Sequence, residues 1–462
     1  MGHQLTENLS LTDRLMRSHR RVLVLDDDPT GSQTAAGVPI ATDFSPESME
    51  WALREAAPTA FVLTNARALD ENTTRELTRS IAQTATTVAD RLRLQLSIVS
   101  RSDSTLRGHF PVDVEVLTEV GAAGTPRVLV LCPAYPAAGR ITRHGRHLVR
   151  SGSGWVPVGE TAYARDATFG FSASTLPDWV QERSHGRWAA SDVTVVSVTD
   201  IRRGPDHVSR LIGATASGFD PGPVCVDAET EADLDVVAAA LERCEEEGIR
   251  TVVRCGPSLA RARGGLPHSS RVSPERLRAA LDPTTGPHGL VVAGSHVELT
   301  TAQLRHLGDL DRVSTVELST ADVVDAATRD AAIDRAVTEC VSALAVSDVV
   351  LRTSRDVVVG VDEDDSLSIA AAVAHALSTA ASAVVAAAPP RWVVAKGGIT
   401  SADVITKVLR LRRAKVLGPI LDGIVPVWVA ESASGPLCVV FPGNVGGPES
   451  LRDVVTVLRE LN

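Results

Sequence analysis

Short runs rich in valine, isoleucine and leucine, each stopping abruptly at polar or glycine residues, constrain this chain more than any other feature. In the first half they are RVLVLDDD, AFVLTNAR, LSIVSRSD, RVLVLCPAY, VTVVSVTD, GPVCVDAE and TVVRCGPS; in the second, GLVVAGSH, STVEL, DVVLRTS and RWVVAKGG. A strand apolar at consecutive positions is covered on both faces, which is the habit of parallel sheets. Between several of these runs lie segments with helical periodicity, such as residues 70–93 and 229–247. Buried strands alternating with helices are βαβ units. The expected fold class is therefore α/β, a mostly parallel sheet flanked by helices, with functional groups at the carboxyl ends of the strands.

At 462 residues the chain is too long for one ordinary core, and two domains are expected. Residues 260–288 are rich in Arg, Gly, Pro and Ser and hold no strand-like run, so they read as an inter-domain connection with a short helix around SPERLRAAL. The strand pattern restarts near residue 289. A net charge of −11 argues against a broad nucleic-acid or anionic-membrane surface. Six scattered cysteines show no metal-ligand spacing and read as core residues of a reducing compartment. The first twenty residues have no apolar signal-like core. LSTAASAVVAAAPP comes nearest to a membrane span but is short and ends in two prolines, so a cytoplasmic protein with no membrane partner is expected.

The first strand ends in Asp26, Asp27 and Asp28, followed at once by Pro-Thr-Gly-Ser. Adjacent like charges repel, so this is either a solvated loop or a site for hydroxyl groups or a metal, with cations nearby to offset the repulsion. RSDSTLRGHF, residues 101–110, brings Asp103, Ser104, Thr105 and Arg107 to another strand end. Such a set suits a ligand with a carboxylate and several hydroxyls, although Asp103 or Ser104 as a helix N-cap fits equally well. TNAR and PAYPAAGRITRHG add Arg67 and Arg140. His109, His144 and His147 match no metal-ligand spacing and read as surface or capping residues.

The chain lacks GxxxxGK[ST], a strand-to-helix GxGxxG, HExxH and GxSxG. Three glycine turns in the second half take their place: Gly294-Ser295, then Gly397, Gly398, Thr400 and Ser401, then Gly443, Gly446 and Gly447. Each follows a strand and precedes a helical segment, where backbone N–H groups can meet an anion. One such turn is ordinary architecture; three in one domain point to a nucleotide cradle. Lys396, at the second turn, is placed either to reach a phosphate or to make a structural ion pair.

Taken in order, these segments resemble the four-carbon acid sugar kinase family, formerly a family of unknown function. Its DDxTG motif is matched by Asp27-Asp28-Pro29-Thr30-Gly31, its SR element by Ala66-Arg67, its DSTLRG element by residues 103–108, and its PxxGRxT element by residues 136–142. Its GS, GGxTS and GN(F/V)G turns are matched by Gly294-Ser295, Gly397 to Ser401 and Gly443 to Gly446. Arg101-Ser102 and His109 depart from the family's common pattern and bear on which acid is used.

The resemblance implies ATP-dependent phosphorylation of the terminal hydroxyl of a short sugar acid such as D-threonate, D-erythronate, 3-oxo-tetronate or a branched relative. It implies an acid-sugar-binding domain over 21–259 after a tail of residues 1–20, the 260–288 linker, and a nucleotide-binding domain over 289–462, with the active site in the cleft between domains. On that basis Arg67, Arg107 and Arg140 are expected to hold the carboxylate. Asp27, Asp28 and Asp103 would bind hydroxyls, one of them orienting or deprotonating the attacking group, with Ser104 and Thr105 alongside; Asp26 would be structural. Ser295, Gly397, Gly398, Thr400, Gly443 and Gly446 are expected to line the ATP site, with Mg²⁺ bridging phosphates through ligands the motifs do not name. A homo-oligomer is compatible with this reading. The alternatives are a non-catalytic acid-sugar sensor and, weakened by the missing GxGxxG, an NAD(P)-dependent oxidoreductase.

Overall fold

The computed structural model describes residues 10–120, 127–216, 222–268, 270–355, 363–421, 424–443 and 445–461. The chain forms two compact units, Met1–Thr34 with Val38–His268 and Ala35–Gly37 with Ser269–Asn462. The first carries strands β1 (Arg20–Asp26), β2 (Val38–Ala41), β3 (Thr59–Leu63), β4 (Gln95–Arg101), β5 (Arg127–Cys132), β6 (Arg140–Arg143), β7 (Arg146–Ser151), β8 (Gly154–Pro157), β9 (Thr194–Val196), β10 (Val224–Val226) and β11 (Arg250–Cys255). Its main sheet runs β2-β3-β1-β4-β11-β5-β10-β9 and is parallel at each of these pairings. From β1 the chain lays β2 and β3 on one side and β4 on the other. The carboxyl ends of β1 and β4 thus flank a topological switch point, the place where open parallel sheets bind ligands.

Consecutive apolar residues make this possible. Val22, Leu23, Val24 and Leu25 of β1 are all buried, and each such side chain contributes about 1.5–3 kcal/mol by leaving water. The helix Glu71–Leu92 covers the sheet with Ile81, Ala82, Ala85, Val88 and Ala89. Asp70 caps its start by accepting from the Thr73 N–H, and the left-handed Arg93 ends it.

The second unit carries β12 (Leu290–Ala293), β13 (Val313–Leu318), β14 (Asp348–Thr353), β15 (Trp392–Lys396), β16 (Arg413–Leu421), β17 (Val425–Ala430) and β18 (Leu437–Phe441). Their order is β13-β14-β12-β15-β18-β17-β16, parallel from β13 to β18 and antiparallel for the last two pairings. Here β13 and β14 lie on one side of β12 and β15 on the other, so the switch point falls between the first two glycine turns. The α/β class with two mostly parallel, helix-flanked sheets is what the strand pattern foretold.

Four details depart from the sequence reading. Residues 11–17, taken as tail, form the helix Leu11–Arg17, capped by Ser10 and anchored by buried Leu15. The start of the supposed linker is the helix Pro257–Arg263, buried throughout. Its arginines read as part of an inter-domain connection, but the helix Glu231–Glu246 meets them with acid: Arg263 bonds Glu242 at 2.9 Å and Glu245 at 2.6 Å, and Arg261 bonds Asp235 at 2.7 Å. Helix Pro274–Ala279 does fall within SPERLRAAL. Third, PAYPAAGRITRHG leads into an antiparallel sheet, β6-β7-β8. Fourth, the stretch Ser368–Ala387 is long and apolar enough to cross a membrane. In this fold it belongs to the helix Glu363–Ala387, which buries Ala376, Leu377, Ala380, Ala381 and Val384.

Candidate functional site

Asp26 and Arg101 close β1 and β4 and are direct partners in the parallel register. Their side chains therefore meet: Arg101 Nε lies 2.7 Å from Asp26 Oδ1, with the acid at 0% and the base at 3% exposure. The same guanidinium reaches Asp27 Oδ1 at 3.1 Å and donates to the Asp28 carbonyl at 3.1 Å. Burial raises the Asp26 carboxyl to about 7 against the pull of Arg101, and the neighbouring Asp27 and Asp28 push the same way. A Cβ at Gly31 would stand 2.0 Å from Arg101 Nη2 and 2.1 Å from Asp26 Oδ1, so only glycine lets the chain pass over this pair.

The end of β3 supplies the second cation. Thr64 ties the strands together through its N–H and hydroxyl to the Asp26 carbonyl, at 2.8 and 3.0 Å. Arg67 then grips Asp27 with two N–H groups, Nη2 to Oδ1 at 2.6 Å and Nε to Oδ2 at 3.2 Å, and reaches Asp28 Oδ2 through Nη1 at 3.3 Å. Two guanidiniums thus offset three adjacent carboxylates, and the solvated-loop reading of DDD is excluded.

The DSTLRG stretch is not a helix cap, because the next helix begins at Val112 with Pro111 as its N-cap. It is a loop held in an unusual shape, with buried Leu106 at φ +73°. Burial works to raise the Asp103 carboxyl, but the charges of Arg67 and Arg107 hold it well below the usual range. Arg107 Nε donates to Asp103 at 2.6 Å, and the Thr105 hydroxyl donates to the same oxygen. Thr105 is thereby spent inside the protein, and Ser104 is also buried. Arg107 and Arg140 approach one ring, Tyr163, at 5.2 and 5.9 Å. Arg107 is paired with Asp103 and, at 3.5 Å, with Asp166. Arg140 has no ion-pair partner among the described residues, and its Nε is buried without a hydrogen bond.

His147, read as a surface or capping residue, is fully buried. Its Nε2–H donates to the Ser104 carbonyl at 2.8 Å while Nδ1 faces the Thr142 hydroxyl at 3.0 Å, which fastens β7 to the DSTLRG loop. Burial, aided by Arg140, lowers its pKa to about 4. The unfolded chain, with an imidazole near 6.5, binds this proton first, so stability present above about pH 6.5 is lost as pH falls toward 4. The loss amounts to ~3 kcal/mol. Urea unfolding of wild type and His147→Gln across that window should show the two curves differing in slope by one proton. His109 bonds the Leu69 carbonyl at 2.9 Å, and His144 is exposed. Among the described residues no group of three or more His, Cys, Asp or Glu is arranged to hold a metal, and all six cysteines are buried and unpaired.

In the second unit the three glycine turns come together. A Cβ at Gly294 would stand 2.8 Å from Thr400 Oγ1, one at Gly397 would stand 3.0 Å from Ser295 Cβ, and one at Gly443 would stand 3.1 Å from Ser295 Oγ. The first two of them border a cavity of about 470 Å³. Gly294, Ser295, Gly397, Gly398 and Thr400 form one side, and the apolar face of helix Glu363–Ala387, including Ile369, Val373 and Leu377, the other. Polar turns at one end and an aliphatic wall at the other suit a ligand with an anionic and an apolar part. Gly397 has φ +117° and ψ 154°, a conformation essentially confined to glycine. Gly397→Ala should cost about 1–3 kcal/mol of stability and weaken nucleotide binding by roughly 10-fold, measurable by calorimetric titration.

Gly443 does not line this cavity, and neither does Gly446. It shapes the third turn, where Gln303 Nε2 donates to the Val445 and Gly447 carbonyls at 3.0 and 2.8 Å. Asn444, part of the GNVG match, and the side chain of Thr30 lie outside the described residues. Among the described residues Lys396 neither lines the cavity nor makes an ion pair. Fully buried, its Nζ donates to the Pro442 and Gly443 carbonyls and sits 4.1 Å from the centre of the Phe441 ring, pinning the third turn from below. Arg101 and Tyr163 were missed as site residues. Arg101 stood in the sequence only as a departure from a motif, and no signal in the order of residues pairs it with Asp26; the register of β1 and β4 does.

Residues 22–263 match the family model described as a sugar-binding N-terminal domain, and residues 290–451 that of a nucleotide-binding C-terminal domain. No curated protein matches the chain. Two solved structures share its fold. One is a candidate tRNA synthase from Salmonella typhimurium LT2, with TM-score 0.67 and 16% identity over 95% of this chain and 98% of that one. The other is a Haemophilus influenzae protein of the family DUF1537, with TM-score 0.62 and 15% identity over 94% of this chain and 99% of that one. Since the sugar-binding model alone spans more than half of the sequence and the nucleotide-binding model most of the rest, the chain belongs to the family that joins a sugar-binding N-terminal domain to a nucleotide-binding C-terminal domain.

Proposed function

We propose that the protein is an ATP-dependent kinase that phosphorylates the terminal hydroxyl of a four-carbon, or closely related branched, sugar acid. The observation that carries this reading is that two glycine turns line a cavity of about 470 Å³, with the third turn packed against Ser295 of the first, in a chain whose other unit gathers carboxylates and guanidiniums at its own switch point. Phosphoryl transfer asks a protein mainly for positioning and charge neutralisation, and these two clusters are suited to that division of labour.

Arg140, the guanidinium without a carboxylate, is the best anchor for the acid's own carboxylate, with Arg107 beside it across Tyr163. Arg67 and Arg101 then act on the protein's aspartates, fixing Asp27 and Asp28 toward the ligand's hydroxyls. Asp28 accepts the proton as the hydroxyl oxygen bonds the γ-phosphorus and the bridging bond to the β-phosphate breaks, leaving ADP. Ser295, Thr400 and Asp403, all lining the cavity, are oxygen donors that fit an Mg²⁺ held chiefly by nucleotide phosphates. Bound there, the ion would neutralise phosphate charge.

The test is a panel of C4 and branched C5 sugar acids assayed for acid-dependent ADP formation. One acid giving saturable turnover is the expected result. Acid binding with no ADP formed would replace this reading with a sensor, and an absorbance change with NAD(P) would replace it with an oxidoreductase.

A further inference from the structure

The cavity of the second unit is lined by no lysine or arginine among the described residues, although a nucleotide's phosphates bring several negative charges to the glycine turns. Lys396 is committed beneath the third turn. Among the described residues a further cation beside the first turn is Arg355, two residues beyond β14, whose last residue Thr353 lines the cavity. Its Nη1 donates to the Ser295 carbonyl at 2.7 Å and its Nη2 to the Thr301 hydroxyl at 2.6 Å. The guanidinium is thereby fixed against the first turn and the opening of the helix Glu298–Gly308.

We propose that Arg355 is the phosphate-charge anchor of the nucleotide site, an inference that rests on the placement of ATP phosphates at the Ser295 turn. Neighbouring Arg352 has its counter-ion in Glu317 at 3.0 Å. Arg355 has none among the described residues, and its Nε is buried without a partner. Partial burial and the charge of Arg352 both disfavour its positive form. A half-buried cation left in that state is an unfavourable arrangement unless an anion completes it. One of its hydrogen bonds goes to the turn that borders the cavity and the other to the first turn of the helix that follows it, so the completing anion belongs there. Arginine suits the task, since its planar fork can hold the turn with some N–H groups and face phosphate oxygens with others.

The experiment compares wild type, Arg355→Met and Arg355→Lys as full chains, titrating ATP, ADP and adenosine calorimetrically at low and moderate salt, with melting temperatures as a folding control. Arg355→Met should weaken ATP by about 10- to 100-fold, leave adenosine unchanged and flatten the salt dependence, and Arg355→Lys should recover part of the loss. Equal weakening of ATP and adenosine would reduce Arg355 to a brace for the turn and overturn the proposal, as would unchanged ATP binding. A wild type that binds none of the three would overturn the kinase reading itself, and this inference with it.

Discussion

Asp28→Asn should lower kcat by about 10²- to 10⁴-fold while leaving the fold intact, the span expected when a positioned general base is removed. The substitution keeps the side chain's shape and trades a carboxylate oxygen for an amide. Asp28 is the carboxylate best suited to the role. It is 18% exposed, and its side chain is 3.3 Å from Arg67 Nη1, whereas Asp27 is gripped at short range by both Arg67 and Arg101. Asp103 is held well below the usual carboxylate range by Arg67 and Arg107 against the opposing effect of burial, which makes it a poor proton acceptor. The measurement is a coupled ADP-release assay at saturating acid, with the acid's Kd determined separately. A kcat within tenfold of wild type would remove Asp28 from the reaction and pass the role to Asp27.

Arg101→Met should be the most destabilising single change, costing about 3–5 kcal/mol in urea unfolding, because it leaves a fully buried carboxylate without its partner. The cost carries a pH signature. Asp26 already has a raised pKa, and loss of Arg101 raises it further, so the folded variant holds a proton that the unfolded chain releases near 4. Wild-type Asp26 itself keeps its proton up to about 7, so the penalty relative to wild type is small in acid and grows as pH rises above about 7. The double variant Asp26→Asn/Arg101→Met, which removes both charges, should recover most of the loss. A single variant as stable as wild type at roughly pH 8 would show that the pair contributes nothing.

Much of the fold was legible because it depends on features that survive in one dimension. Consecutive apolar residues mark strands covered on both faces, and the abrupt polar stops mark their carboxyl ends; Asp26, Arg101, Lys396 and Phe441 do terminate their strands. The glycine turns were visible for the same reason, since each follows directly on a strand. What could not be read was partnership across the sheet. Nothing in the order of residues says that β1 lies beside β4, so the Asp26–Arg101 pair was hidden, as was the commitment of Thr105 to Asp103. Lys396 misled because its position beside two glycines suggests phosphate contact, whereas its side chain turns under the strand end. The run RARGG, read as part of an inter-domain connection for its Arg and Gly content, misled because only the acidic face of helix Glu231–Glu246 reveals why arginines are buried there.

That buried helix, Pro257–Arg263, decides where the first unit can be severed. A fragment ended at residue 259, where the strand pattern alone would cut, loses Arg261 and Arg263 and leaves Glu242 and Glu245 with Arg20 as their remaining described basic partner. Such a piece would carry surplus acid in its interior and is the one to expect in inclusion bodies. Ending it at His268 keeps both arginines with their carboxylates, and gives the shorter protein a chance of being expressed and crystallised on its own.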